Sequence, residues 1–230
     1  MVEYMSKNTN TPKRAWQRML SGRRLDLLDP SPFDIEIEDI AQGLARVARW
    51  NGQTSGDHAF SVAEHSVIVE QLFTQLNPQA SNLDRLACLL HDSAEYVIGD
   101  MISPFKNALG LNYKAFETRI EEAVHLRFGL PPQMSIGLKK KIKACDIYCA
   151  WFEATQIAGF TIEEADRFFN RPPKGVSISL APKPVIEAQR IFLEKFGDLY
   201  TAETKAKANT EAEAEAEAEA KTTTETARKA

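Results

Sequence analysis

The chain is poor in the features that mark several large protein classes. Among 230 residues there are only three cysteines, Cys88, Cys145 and Cys149. All three fall in apolar helical patterns, which excludes a disulfide scaffold and fits reduced core thiols. No apolar run reaches the roughly 18 residues that a membrane span needs. Basic residues are not in excess: 28 Lys and Arg face 32 Asp and Glu, a net charge of -4, which argues against a general nucleic-acid binder. Met1-Val2-Glu3-Tyr4 lacks the basic-then-apolar opening of a secretory signal. A cytoplasmic protein is therefore expected. Strand-like alternation long enough to build a sheet is missing too, so the expected class is all-α. Histidine is scarce as well, with four in the chain.

What the chain has is 43% hydrophobic residues, enough for one domain with a full core. Residues 1–13 read as a polar tail. A short helix is expected over Arg14–Leu20, ending at Ser21-Gly22, followed by a proline-bearing loop through Arg23–Pro32. Ile40, Leu44 and Val47 have helical spacing and predict a helix over Glu38–Trp50. Ser61 with Glu64 makes a capping box that opens a helix carrying Val62, His65, Val69 and Leu72 on one stripe. Ser81 with Asp84 opens another, whose stripe of Leu86, Leu90, Ala94 and Val97 runs to a stop at Gly99. Further helices are expected over Asn112–Phe128, over Ser135 to about Ala158, after Thr161, and from Pro184 to about Leu199. From Thr201 the composition narrows to Ala, Glu, Lys and Thr, with five Glu-Ala repeats and no apolar stripe. Residues 201–230 read as a solvated tail. The folded domain is expected over 14–200, with a core at about 38–155.

The chemistry concentrates in Leu90-His91-Asp92-Ser93-Ala94-Glu95. Polar groups inside an apolar run are costly unless compensated, and a divalent ion compensates imidazole and carboxylate alike. On a continuous helix His91 and Glu95 share one edge. His65 and Asp146 lie on the inward stripes of two other helices. Four ligand-type side chains thus aim inward from three helices, which is how helical bundles build metal sites.

These residues, together with Arg49-Trp50, Ser61-Val62-Ala63-Glu64-His65-Ser66, Gly99-Asp100, Pro104-Phe105-Lys106 and Lys143-Ala144-Cys145-Asp146, resemble the HD-domain metal-dependent phosphohydrolases. The likeness is greatest to the bacterial 5′-deoxynucleotidase branch. It implies a bundle of about six to eight helices and one divalent ion held by His65, His91, Asp92 and Asp146. Mn, Co, Fe and Zn all fit such a mixed donor set. It also implies catalytic roles for Glu95, beside the attacking water or the phosphate, and for Asp100, which would orient that water or protonate the leaving oxygen.

Arg49, Lys106 and Lys143 are the candidate cations for phosphoryl oxygens. Trp50 offers a flat face to a base or sugar, or else packs in the core. The activity implied is phosphomonoester hydrolysis of a deoxynucleoside monophosphate. A dNTP triphosphohydrolase is the alternative, and a nucleotide-binding regulatory module with a structural metal is a rival of another class. The resemblance further suggests a homodimer packed through the last helix and the 170–184 linker. The region 14–37 and the loop Asn51–Phe60 depart from the family's pattern.

Overall fold

The computed structural model describes residues 15–101 and 113–204. Among them the protein is all-α: eight α-helices and one two-stranded hairpin. The hairpin pairs β1 (Trp16–Arg18) with β2 (Arg24–Asp26), antiparallel, Trp16 opposite Asp26. The helices are α1 (Ile37–Leu44), α2 (Val62–Leu76), α3 (Asn82–Leu89), α4 (Glu95–Ile98), α5 (Tyr113–Arg127), α6 (Ile136–Gln156), α7 (Ile162–Phe168) and α8 (185–204). No described helix is long and apolar enough to cross a membrane.

Local signals in the sequence set most of the helix starts. Ser61 and Glu64 exchange both bonds of a capping box at α2, and Thr161 and Glu164 do so at α7. The Ser81 and Ser135 side chains cap α3 and α6. Each such cap satisfies a backbone N–H that the first helical turn leaves without a partner. Helix α2 lies at the centre. One face packs on α3 and the other on α6, through Val69, Leu72 and Phe73 against Cys88, Ile142, Cys145 and Cys149. All three cysteines are free thiols in that core. A second apolar cluster joins α1, α3, α5 and α8 to the hairpin through Ile40, Leu86, Ile120, Phe192 and Leu25.

The structure corrects the sequence reading in four places. Within the segment expected as a helix over 14–20, Trp16–Arg18 form strand β1, and β2 lies inside the expected loop. A period of two suits this stretch better: Leu25 is buried, while Leu20, which a helix would have set against the core, is 78% exposed. Gly22 turns the hairpin at a φ of +91°, a left-handed value that glycine tolerates. The Asp39 carboxylate holds the turn by accepting from the Ser21 backbone N–H and hydroxyl.

The helix expected over 38–50 stops at Leu44. Beyond it the chain turns, and Ala48 bridges to Ser61 at the entry to α2, where Arg49 N–H donates to the Phe60 carbonyl at 2.8 Å and Val62 N–H to that of Val47 at 3.0 Å. Trp50 and Asn51 then take left-handed φ values of 56° and 52°. The helix expected from Ser81 to Val97 breaks after Leu89. Residues 90–94 form turns, and His91 lies in that turn rather than on a helix edge with Glu95. Finally, α8 continues through 204, past the boundary of the expected tail.

Helix α1 crosses the start of α4 at Gly43. A Cβ there would meet the Tyr96 Cβ at 2.7 Å and its carbonyl oxygen at 2.8 Å. Backbone cannot yield as a flexible side-chain tip can, so Gly43→Ala is expected to destabilise the fold by about 1–3 kcal/mol. Urea denaturation checks it, and an unchanged midpoint would mean the crossing is looser than it looks.

Candidate metal centre

The turn between α3 and α4 carries His91 and Asp92 towards two neighbouring helices. The first turn of α2 presents His65, and the middle of α6 presents Asp146. The metal-ligating atoms of these four residues all lie within 4.8 Å of one another. His65 Nε2 is 3.4 Å from Asp92 Oδ2 and 3.3 Å from Asp146 Oδ1, and His91 Nε2 is 3.1 Å from Asp92 Oδ2.

Both imidazoles are fixed from behind. His65 Nδ1–H donates to Glu153 Oε1 at 2.5 Å, and His91 Nδ1–H donates to the Cys88 carbonyl at 2.9 Å. With the proton on Nδ1, each Nε2 turns a lone pair towards two carboxylates. Neither buried Nε2 has a hydrogen-bond partner. Lone pairs and carboxylate oxygens crowded in a buried space repel unless a cation lies among them. The electrostatics carry the same message. Burial and Arg49 push the His65 pKa down, yet Glu153 and Asp146 carry it well above normal. Burial pushes Asp92 and Asp146 up, but the imidazoles outweigh it and hold both carboxyls below the usual range. Two imidazoles and two carboxylates from three parts of the chain could hold one divalent ion, and the donor set fits.

Glu153 is the residue that reading the sequence missed. It lies two full turns beyond Asp146, on the stripe that also buries Cys149. It is fully buried and gathers donors: Trp50 Nε1 at 2.7 Å, Arg49 Nη2 at 3.3 Å and the Cys149 thiol at 3.3 Å, besides His65. Carboxylates behind metal-bound histidines fix the ring's tautomer and raise its basicity. His65, Cys149 and Glu153 form a second close group of donors. Their atoms are already spent on one another, and burial above all pushes the Cys149 thiol up to about 12. A protonated thiol is a poor ligand.

A cavity of about 360 Å³ opens beside the four-residue cluster. Glu95 borders it, nearly buried, as do Glu117 and Glu121 of α5 and Lys139 and Lys143 of α6. Lys143 Nζ reaches Asp146 Oδ2 at 2.5 Å. Asp100, Arg49 and Trp50 are not among the described residues of its wall. Arg49 Nη1 instead holds Asp100 at 3.1 Å. Trp50 packs on Phe160 and Phe169, with ring centroids 5.6 and 5.7 Å away. Lys106 lies outside the described residues.

Fold and site together define an all-α protein with a partly buried set of donors that could hold a metal ion. No protein-family profile matches the chain. It is 59% identical over 180 residues to the uncharacterized protein RCAP_rcc00048 of Rhodobacter capsulatus, across 76% of this chain and 92% of that one, and it belongs to that protein's family. It is also 37% identical over 106 residues to the uncharacterized protein YfdR of Escherichia coli, covering 46% and 54% of the two chains.

Proposed function

We propose that the protein is a metal-dependent phosphohydrolase of the HD type that cleaves the phosphomonoester of a (deoxy)nucleotide. The observation that carries this reading is the pair of orphaned Nε2 atoms facing Asp92 and Asp146 at the rim of a cavity. A bound divalent ion supplies Lewis-acid polarisation of a phosphoryl oxygen and a water of lowered pKa. His65, His91, Asp92 and Asp146 would hold it. Lys139 and Lys143 offer the cationic wall for the phosphoryl oxygens, and Glu95 stands where it can orient an attacking water.

The balance of charge favours a monoester over a triphosphate. The carboxylates of Asp92, Glu95, Glu117 and Asp146 border the cavity, with Glu121 as a carboxyl that burial raises, against the ammonium groups of Lys139 and Lys143. A triphosphate would bring more negative charge than that wall can neutralise.

The test pairs elemental analysis of the purified protein with a hydrolysis screen over deoxynucleoside mono- and triphosphates, Mn or Co added. About one metal per chain and release of inorganic phosphate from monophosphates are the expected results. Tripolyphosphate as product would transfer the reading to the triphosphohydrolases. Tight nucleotide binding without turnover would make the protein a regulatory module.

A further inference from the structure

Helix α5 brings to the cavity a pair of residues that the donor cluster does not use. Glu121 borders the cavity opposite His91 and Asp92. One turn on, His125 is fully buried behind it. His125 Nδ1–H donates to the Pro131 carbonyl at 3.1 Å, which leaves Nε2 with a lone pair. That Nε2 is buried without a hydrogen-bond partner, and the Glu121 Oε1 atom is 4.0 Å away. A proton on the carboxyl, which is 22% exposed towards the cavity, relieves the repulsion between the two facing acceptors. The Glu121 carboxyl therefore has two stations, His125 behind it and the cavity in front.

We propose that Glu121 is the general acid of the reaction, giving its carboxyl proton to the leaving oxygen as the P–O ester bond breaks. The inference rests on the phosphohydrolase reading. The leaving group departs as an alcohol, and the proton that the attacking water gives up restores the Glu121 carboxyl. Between turnovers that proton stays on the Glu121 carboxyl, with the unpartnered Nε2 of His125 4.0 Å behind it. Burial raises the Glu121 carboxyl against the pull of Lys139 from α6, with Glu117 on its own helix pushing the same way as burial. His91 and Asp92 are the charges facing it from the α3–α4 turn. His125 is pushed down, chiefly by burial, with Lys139 and Glu122 as its charged neighbours, so it serves as a neutral acceptor. Asp100, which the sequence nominated for this proton, is turned towards Arg49 instead.

Leaving-group chemistry separates this role from a structural one. A nucleoside 5′-alkoxide is a strong base and needs a proton to depart, whereas p-nitrophenolate leaves without one. Metal-loaded wild type and Glu121→Gln are assayed on a deoxynucleoside 5′-monophosphate and on p-nitrophenyl phosphate. The variant should lose on the order of 100-fold or more in kcat on the nucleotide and stay within about threefold on the aryl ester. Glu121→Asp, which keeps a carboxyl, should recover part of the nucleotide rate. Equal losses on both esters, or no loss on the nucleotide, would overturn the assignment. If wild type turns over neither ester, the phosphohydrolase reading fails first and the acid role falls with it.

Discussion

Glu153→Ala should cost the fold about 3–5 kcal/mol, the usual effect of removing one partner from a buried ion-pair network. The variant leaves the guanidinium of Arg49, 14% exposed, with Asp100 alone, and it strips Trp50 Nε1 and His65 Nδ1 of their acceptor. Trp50 is the more vulnerable for its left-handed backbone, a conformation that costs a non-glycine residue about 1–2 kcal/mol. The loss should reach the metal centre as well. Without Glu153 the His65 ring is free to change tautomer and turn an N–H at the donor cluster, so metal affinity should fall by about 10–100-fold.

A pH series adds a signature. Burial pushes the Glu153 carboxyl up, but Arg49 and His65 outweigh it and hold it at about 2, against an ordinary 4.5. A carboxyl depressed in the folded state stabilises fully above its unfolded value and loses that contribution as pH falls towards the folded one. In metal-free protein the stability gap between wild type and variant should therefore be widest above pH 4.5 and shrink towards pH 2. A gap that stayed constant over that window would show that Glu153 matters for its shape and not its charge.

Why Glu153 escaped a reading of the sequence is instructive. Asp146 stood out because a carboxylate on an apolar stripe is uncommon and three other ligand types pointed the same way. Glu153 is on the same stripe of α6, but its partners Arg49, Trp50 and His65 come from segments about ninety to one hundred residues earlier. Only the fold reveals that four donors converge on it. The capped helices were legible because Ser61, Ser81, Ser135 and Thr161 act within one turn of their own position.

The break after Leu89 was not legible, since Leu86, Leu90, Ala94 and Val97 keep helical spacing straight through it. What decides there is the His91 ring, whose Nδ1–H takes the Cys88 carbonyl in a turn that aims Nε2 at Asp92. The hairpin was missed for a related reason. Its register depends on Asp39 bonding Ser21 from another element, and nothing between residues 14 and 26 announces that contact.

Asp92→Ala should abolish metal binding and turnover together. Asp92 Oδ2 lies close to both orphaned imidazole nitrogens, 3.4 Å from His65 Nε2 and 3.1 Å from His91 Nε2. Alanine leaves two imidazoles and Asp146, and Asp146 is already shared with the Lys143 ammonium. If the ion supplies roughly 4 kcal/mol of charge stabilisation, losing it lowers the rate by about a thousandfold. A readout free of any substrate comes from linkage. Added Mn or Zn should raise the melting temperature of wild type, because a ligand that binds only the folded state stabilises it by RT ln(1 + [L]/Kd). The same titration should leave Asp92→Ala where it began.

Metal-free Asp92→Ala should be no more stable than metal-free wild type, since, against burial, the imidazoles of His91 and His65 hold the Asp92 carboxyl below its usual range and alanine gives up that attraction. A variant that melts lower than wild type without metal, yet still gains stability with Mn, would make Asp92 a structural hydrogen-bond acceptor and leave the ion to His65, His91 and Asp146.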